Sequence, residues 1–131
     1  MIRPARAVLG VLALTAIAGC EPYSNMVTLA PSPSPDSLAF HVSALESVKA
    51  PATGVFGFSV VECANEASRW TIASDGSRTL PGVVYFGQPL PGFIVRTPAR
   101  ALTPGCYKVL ASGARPLRIN VGADGAAHVA P

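Results

Sequence analysis

The sequence predicts an all-β fold, a small antiparallel β-sandwich of seven or eight short strands over residues 38–131. Three observations predict it. Glycine (12) and proline (13) make up about a fifth of the 131 residues, above the roughly 12% of average usage, which leaves little room for long helices. From Leu38 onward the chain breaks into short apolar runs divided by turn signals, at the spacing of a sandwich or small barrel. No segment sustains apolar residues at helical spacing, and no internal repeat is visible.

The elements follow in chain order. Residues 1–19 read as an export signal: Arg3 and Arg6 supply positive charge, and Ala7 to Ala18 is uncharged and rich in Val, Leu, Ile and Ala. Twelve helical residues span about 18 Å, short of a ~30 Å hydrocarbon core, so the segment suits export better than permanent anchoring. It ends in Ile17-Ala18-Gly19-Cys20, which resembles the lipobox of bacterial lipoproteins: an aliphatic and two small residues before an invariant cysteine. The resemblance implies cleavage before Cys20, diacylglycerol (palmitate-type chains) on its thiol, and a membrane partner reached through that lipid. Two or three chains anchor stably where one is marginal. Glu21 stands where enterobacterial lipoproteins retained at the inner membrane carry aspartate, so the resemblance leans toward the outer membrane, with the domain in the periplasm or at the cell surface. The alternatives are an ordinary secretory signal and an uncleaved apolar N-terminus.

Residues 20–37 are expected to be a lipidated N-terminus and Pro/Ser-rich tether. Ala30–Asp36 reads APSPSPD, which favours extended, unpaired chain. Seventeen such residues would reach roughly 50 Å, enough to lift a domain off a membrane.

The strands come next. Leu38, Phe40 and Val42 alternate with His41 and Ser43. Gly54–Ala64 is apolar on both faces and reads as a central strand. Arg69–Ser74 puts Trp70 and Ile72 together before an Asp75-Gly76-Ser77 turn. Gly82–Gly87 and Gly92–Thr97 flank a QPLP turn and are expected to form a hairpin. Gly105–Ser112 follows, then Pro116–Gly122 with Leu117, Ile119 and Val121 inward, an Asp124-Gly125 turn, and a closing strand at Ala126–Ala130. Short helical turns are expected near Val42–Pro51 and Cys63–Arg69.

Leu102, Pro104, Gly105, Tyr107 and Val109 form an L-x-P-G-x-Y-x-V pattern. It resembles the start of a late strand in immunoglobulin-like and prealbumin-like sandwiches. The resemblance implies a leucine plugging the sandwich end, a Pro-Gly turn, and an inward tyrosine whose hydroxyl bonds back to the turn. It implies nothing about function.

Cys63 and Cys106 remain for the folded domain, and an oxidising compartment favours a disulfide between them. Tyr107 directly follows Cys106, so the two side chains face opposite ways. The bridge is then expected to staple a strand end rather than cross the core.

Charge excludes some functions. The formal charge is +3, and removing Arg3 and Arg6 leaves 8 basic against 7 acidic residues, or +1, with the basic residues scattered. No basic patch marks a nucleic-acid partner, and no ligand spacing marks a metal or other cofactor. Catalysis would have to use His41 or His128, or the carboxylates of Glu62 and Glu66. Each reads more simply as a solvated side chain. Trp70, Tyr85, Phe86 and Phe93 with Arg96 are the candidate binding surface for an envelope protein or a glycan, weighed against filling the core. The expected role is therefore non-enzymatic: binding a partner, or acting as an accessory in an envelope assembly. The alternatives are an inhibitor-type module presenting a protruding GQPLPG loop, and an envelope enzyme using one of the histidines.

Overall fold

A computed structural model describes residues 23–31 and 38–131. Among them the chain forms nine strands: β1 (Asn25–Leu29), β2 (Ala39–Ala44), β3 (Val55–Glu62), β4 (Ser68–Arg78), β5 (Val83–Tyr85), β6 (Ile94–Thr97), β7 (Gly105–Ala111), β8 (Leu117–Val121) and β9 (Ala127–Val129). They build two antiparallel sheets, in the orders β1-β2-β5 and β6-β4-β3-β7-β8-β9. The fold is an all-β sandwich with one or two strands more than the sequence reading counted.

The period of two decides what fills the sandwich. Phe40 and Val42 from β2 meet Phe58 and Val60 from β3, Trp70 and Ile72 from β4, Tyr107 and Val109 from β7, and Ile119 and Val121 from β8. Four rings run through this core: Phe40 to Phe58 at 5.9 Å, Phe58 to Trp70 at 5.6 Å and Trp70 to Phe86 at 5.6 Å. The first pair ties the two sheets together, and tilted ring pairs of this kind contribute about 0.5–1.5 kcal/mol beyond burial. The expected inward set of β8 holds, and β9 pairs back on β8 across a tight turn in which Gly122 N–H donates to Ala126 O at 2.9 Å.

The tyrosine motif also folds as its pattern implied. The Tyr107 ring is buried, and its hydroxyl donates to the Thr103 carbonyl at 2.6 Å. The bond closes the loop into β7 from the core side.

Four expectations are corrected. First, the folded region does not begin near Leu38. Asn25–Leu29 pairs with β2 over its full length, from Asn25 opposite Ala44 to Leu29 opposite Phe40. The N–H groups of Ser24 and Asn25 both donate to Gly113 O at 2.9 Å. Gly113 has φ +74°, and a Cβ there would stand 3.0 Å from Ser24 Oγ, so glycine lets the two backbones meet.

Second, Asp75-Gly76-Ser77 does not end the fourth strand. Val55 faces Arg78 while Gly57 faces Ala73, so Phe56 stands against a bulge at Ser74–Ser77. The Ser74 hydroxyl donates to the Gly76 carbonyl across the bulge. The irregularity rotates Phe56 outward although Val55 and Phe58 are both buried, as bulges re-aim side chains.

Third, β5 and β6 are not a hairpin. They lie in different sheets, and GQPLPG carries the chain from one to the other. Turn chemistry specifies a reversal but not the sheet in which the next strand pairs.

Fourth, of the two expected helical turns only the second forms, as a single i→i+4 turn that is not continued. Residues 44–50 close through Ser47 N–H to Ala44 O and Ala50 N–H to Ser47 O. Residues 62–66 close through Glu66 N–H to Glu62 O at 2.9 Å, with Glu66 at φ +57°.

Candidate functional site

Cys20 lies outside the described residues. Cys63 and Cys106 form a disulfide with Cα atoms 5.4 Å apart. Cys63 sits one residue beyond β3 and Cys106 is the second residue of β7, with Cys63 N–H donating to Cys106 O at 3.1 Å. The bridge staples neighbouring strands at their end, as the Cys106-Tyr107 order predicted.

The aromatic platform is not assembled. Trp70 is buried, and Phe86 and Phe93 are half-buried against the core. Trp70 faces inward because it stands opposite Val60, another core residue, in the β3–β4 register. Tyr85 is exposed at the end of β5, with its N–H held by Gln88 Oε1 at 3.0 Å. Leu90 packs on the core and Phe93 N–H donates to Leu90 O at 3.1 Å, so the GQPLPG loop is folded down rather than presented.

The histidines do not meet. His41 pairs with Thr28 and Val83 in the small sheet, and His128 pairs with Asn120 in the large one. Both are exposed. His41 opens on a shallow cavity of about 420 Å³ that Met26, Thr28, Ser43 and Val83 help to line. Glu62 and Glu66 are close in sequence but serve different cations: Arg69 Nε at 2.9 Å from Glu62, and Lys108 Nζ at 2.6 Å from Glu66. The hydrogen bond and charge of Lys108 hold the Glu66 carboxyl below its ordinary pKa, the wrong direction for a general acid at neutral pH. Among the described residues no group of three or more His, Cys, Asp and Glu side chains is placed to hold a metal ion.

What the fold does bring together is an apolar strand edge framed by cations. β6 pairs with β4 only and forms one edge of the large sheet. Ile94 and Val95 are 55% and 51% exposed. Arg78 covers the approach to the strand: a Cβ on Gly92 would meet its Nε at 2.9 Å. Arg96 is exposed on the strand itself and has no ion-pair partner among the described residues. Arg100 follows the strand, fixed by its N–H to Arg69 O at 2.9 Å and by its guanidinium to Ser68 O at 2.8 Å. Three guanidinium groups therefore accompany the edge, with Asp75 loosely paired to Arg78 at 3.8 Å.

Edge strands are normally blunted by shortness, charge or bulges. β6 is short and carries Arg96, which discourages indiscriminate pairing, yet Ile94 and Val95 stay open. Sequence reasoning singled out Arg96 but missed Ile94 and Val95. A short run of β-branched residues signals a strand, and only the sheet order reveals that the strand is an edge. No family model matches this sequence, and no curated protein matches it.

Proposed function

We propose that this chain is a lipid-anchored cell-envelope protein with a non-enzymatic role, binding an extended segment of another envelope protein along β6. The observation that carries the reading is the edge itself: Ile94 and Val95 exposed, with Arg78, Arg96 and Arg100 beside them. Strand addition takes its affinity from main-chain hydrogen bonds and its specificity from alternate side chains. Here the apolar positions call for apolar partners, and the arginines call for carboxylates, which guanidinium groups bind in a planar fork. The occupant is thus an extended peptide mixing apolar and acidic residues. The lipobox-like Cys20, the disulfide and the export-type N-terminus support an envelope address.

A photo-crosslinking residue at position 94, introduced into the anchored protein in cells, tests the reading. An adduct to an acidic, extended segment is expected. A synthetic peptide of that segment should bind the purified protein and lose affinity with Arg96→Glu. No adduct at position 94, or an adduct to a basic segment, would overturn it.

A further inference from the structure

The distance between the lipid site and the fold is far shorter than the sequence suggested, and this has a consequence for orientation. The chain from Cys20 was expected to run free to Leu38, a reach of roughly 50 Å. Instead Ser24 and Asn25 are pinned to Gly113. Only three peptide links separate Cys20 from Tyr23, and at 3.8 Å per link their Cα atoms lie within about 11 Å. A lipid on Cys20 therefore brings the Tyr23 side of the domain to the bilayer.

That side is built unlike the rest of the surface. Leu45 N–H donates to Ser24 O at 2.8 Å, which fixes the β2–β3 loop beside the N-terminus. In that loop Leu45 is 47% exposed and Val48 73%. Tyr23, Leu45 and Arg115 line one cavity of about 270 Å³, and the Arg115 guanidinium stands 5.3 Å from the Tyr23 ring centroid. Lys49 is exposed next to Val48. An exposed apolar patch with an interfacial aromatic and cations suits a bilayer surface.

We infer that the face of Tyr23, Leu45 and Val48 seats on the membrane, with Val48 entering the headgroup–acyl boundary and Lys49 meeting anionic headgroups. This rests on the lipid anchor proposed above. It makes the protein a docked module of fixed orientation rather than a tethered one.

The test uses the full chain purified from bacterial membranes. It is reconstituted into phosphatidylethanolamine–phosphatidylglycerol vesicles, with or without acyl chains brominated near the headgroup. Val48→Trp and Ala123→Trp each add a fluorophore at an exposed position, the second in the turn after β8, at the opposite end of that strand from Arg115. The buried Trp70 supplies a common baseline and reports folding of both variants. Quenching of the added signal is expected to be at least twofold greater at position 48 than at 123, and to fall when Leu45→Glu is added. Intact mass is measured on the same samples. Acylated protein with equal quenching at both positions overturns the docking and leaves the anchor standing. Protein without acyl mass overturns the anchor and the docking with it.

Discussion

The side-chain amide of Asn25 and the backbone N–H and C=O of Thr53 hold each other by two hydrogen bonds. Asn25 Nδ2 donates to Thr53 O at 2.8 Å, and Thr53 N–H donates to Asn25 Oδ1 at 3.2 Å. Nδ2 also donates to Ser112 O at 3.0 Å. Asn25 is 1% exposed, and this one side chain ties β1 to the segment before β3 and to the turn after β7. Asn25→Ala leaves three part-buried backbone groups, Thr53 N–H, Thr53 O and Ser112 O, without their side-chain partner. At about 1–3 kcal/mol for an unsatisfied buried group, with partial relief by water, a loss of about 2–4 kcal/mol is expected. Urea unfolding at neutral pH measures it. A midpoint unchanged from the parent would show that β1 is dispensable to the domain.

That pair also shows where sequence reading stops. Residues 25–29 do alternate, with Val27 buried between the more open Met26 and Thr28, but five residues beside a Pro/Ser run are too few to declare a strand. The residue that secures them is a polar asparagine, whose partners lie 28 and 87 positions away. Trp70 shows the same limit from the other direction. Its type fits a binding surface or a core equally, and its register opposite Val60 decides. Where the signal is local it is legible: the alternation of β8, the Asp124-Gly125 turn, the Tyr107 hydroxyl bond and the strand-end position of the disulfide all follow from neighbouring residues. The edge position of β6, which makes the candidate site, is a property of sheet order and has no local signature.

Tyr107→Phe removes a single atom from the core side of the β7 loop. The ring is retained, so the core volume is preserved, but Thr103 O loses a 2.6 Å donor. A cost of about 1–2 kcal/mol is expected. For a domain of this size that is a drop in Tm of about 4–16 °C, readable by near-ultraviolet circular dichroism. A Tm within a degree of the parent would mean that water replaces the hydroxyl without loss.

Replacing Cys63 and Cys106 together by Ala opens a loop with a sequence separation of 43. The chain-entropy relation assigns such a crosslink about 4 kcal/mol. The double variant is expected to unfold at markedly lower denaturant than the oxidised parent. The reduced parent should match the variant. Equal stability of all three forms would refute a structural role for the bridge.

Glu66 gives the acid limb a defined sign. Lys108 lowers its carboxyl pKa in the folded protein by hydrogen bond and charge. A depressed folded-state pKa stabilises above the unfolded value and is lost as pH falls through the folded one. The loss is therefore expected below the ordinary carboxylate range, with neutral pH unaffected. Because the pair is solvent-exposed the effect should be small and weaken with salt. Glu66→Gln is expected to flatten the stability profile between pH 5 and 2 (roughly the carboxylate titration window) relative to the parent. An identical acid limb in the two proteins would count against the ion pair in solution.

The β6 edge separates binding from stability. Ile94 and Arg96 are both exposed, and substitutions at such surface positions usually change stability by no more than about 0.5 kcal/mol. Ile94→Lys and Arg96→Glu should therefore unfold with the parent while weakening capture of an acidic, extended peptide. Their losses should differ in kind. Ile94→Lys removes apolar contact, so its loss persists at high salt. Arg96→Glu reverses a charge, so its loss should be large at low ionic strength and shrink as salt screens it. Isothermal titration at two salt concentrations distinguishes the two. If both variants bind like the parent, the partner is held elsewhere on the sandwich. If both lose stability in step with binding, β6 is a structural edge rather than a docking strand.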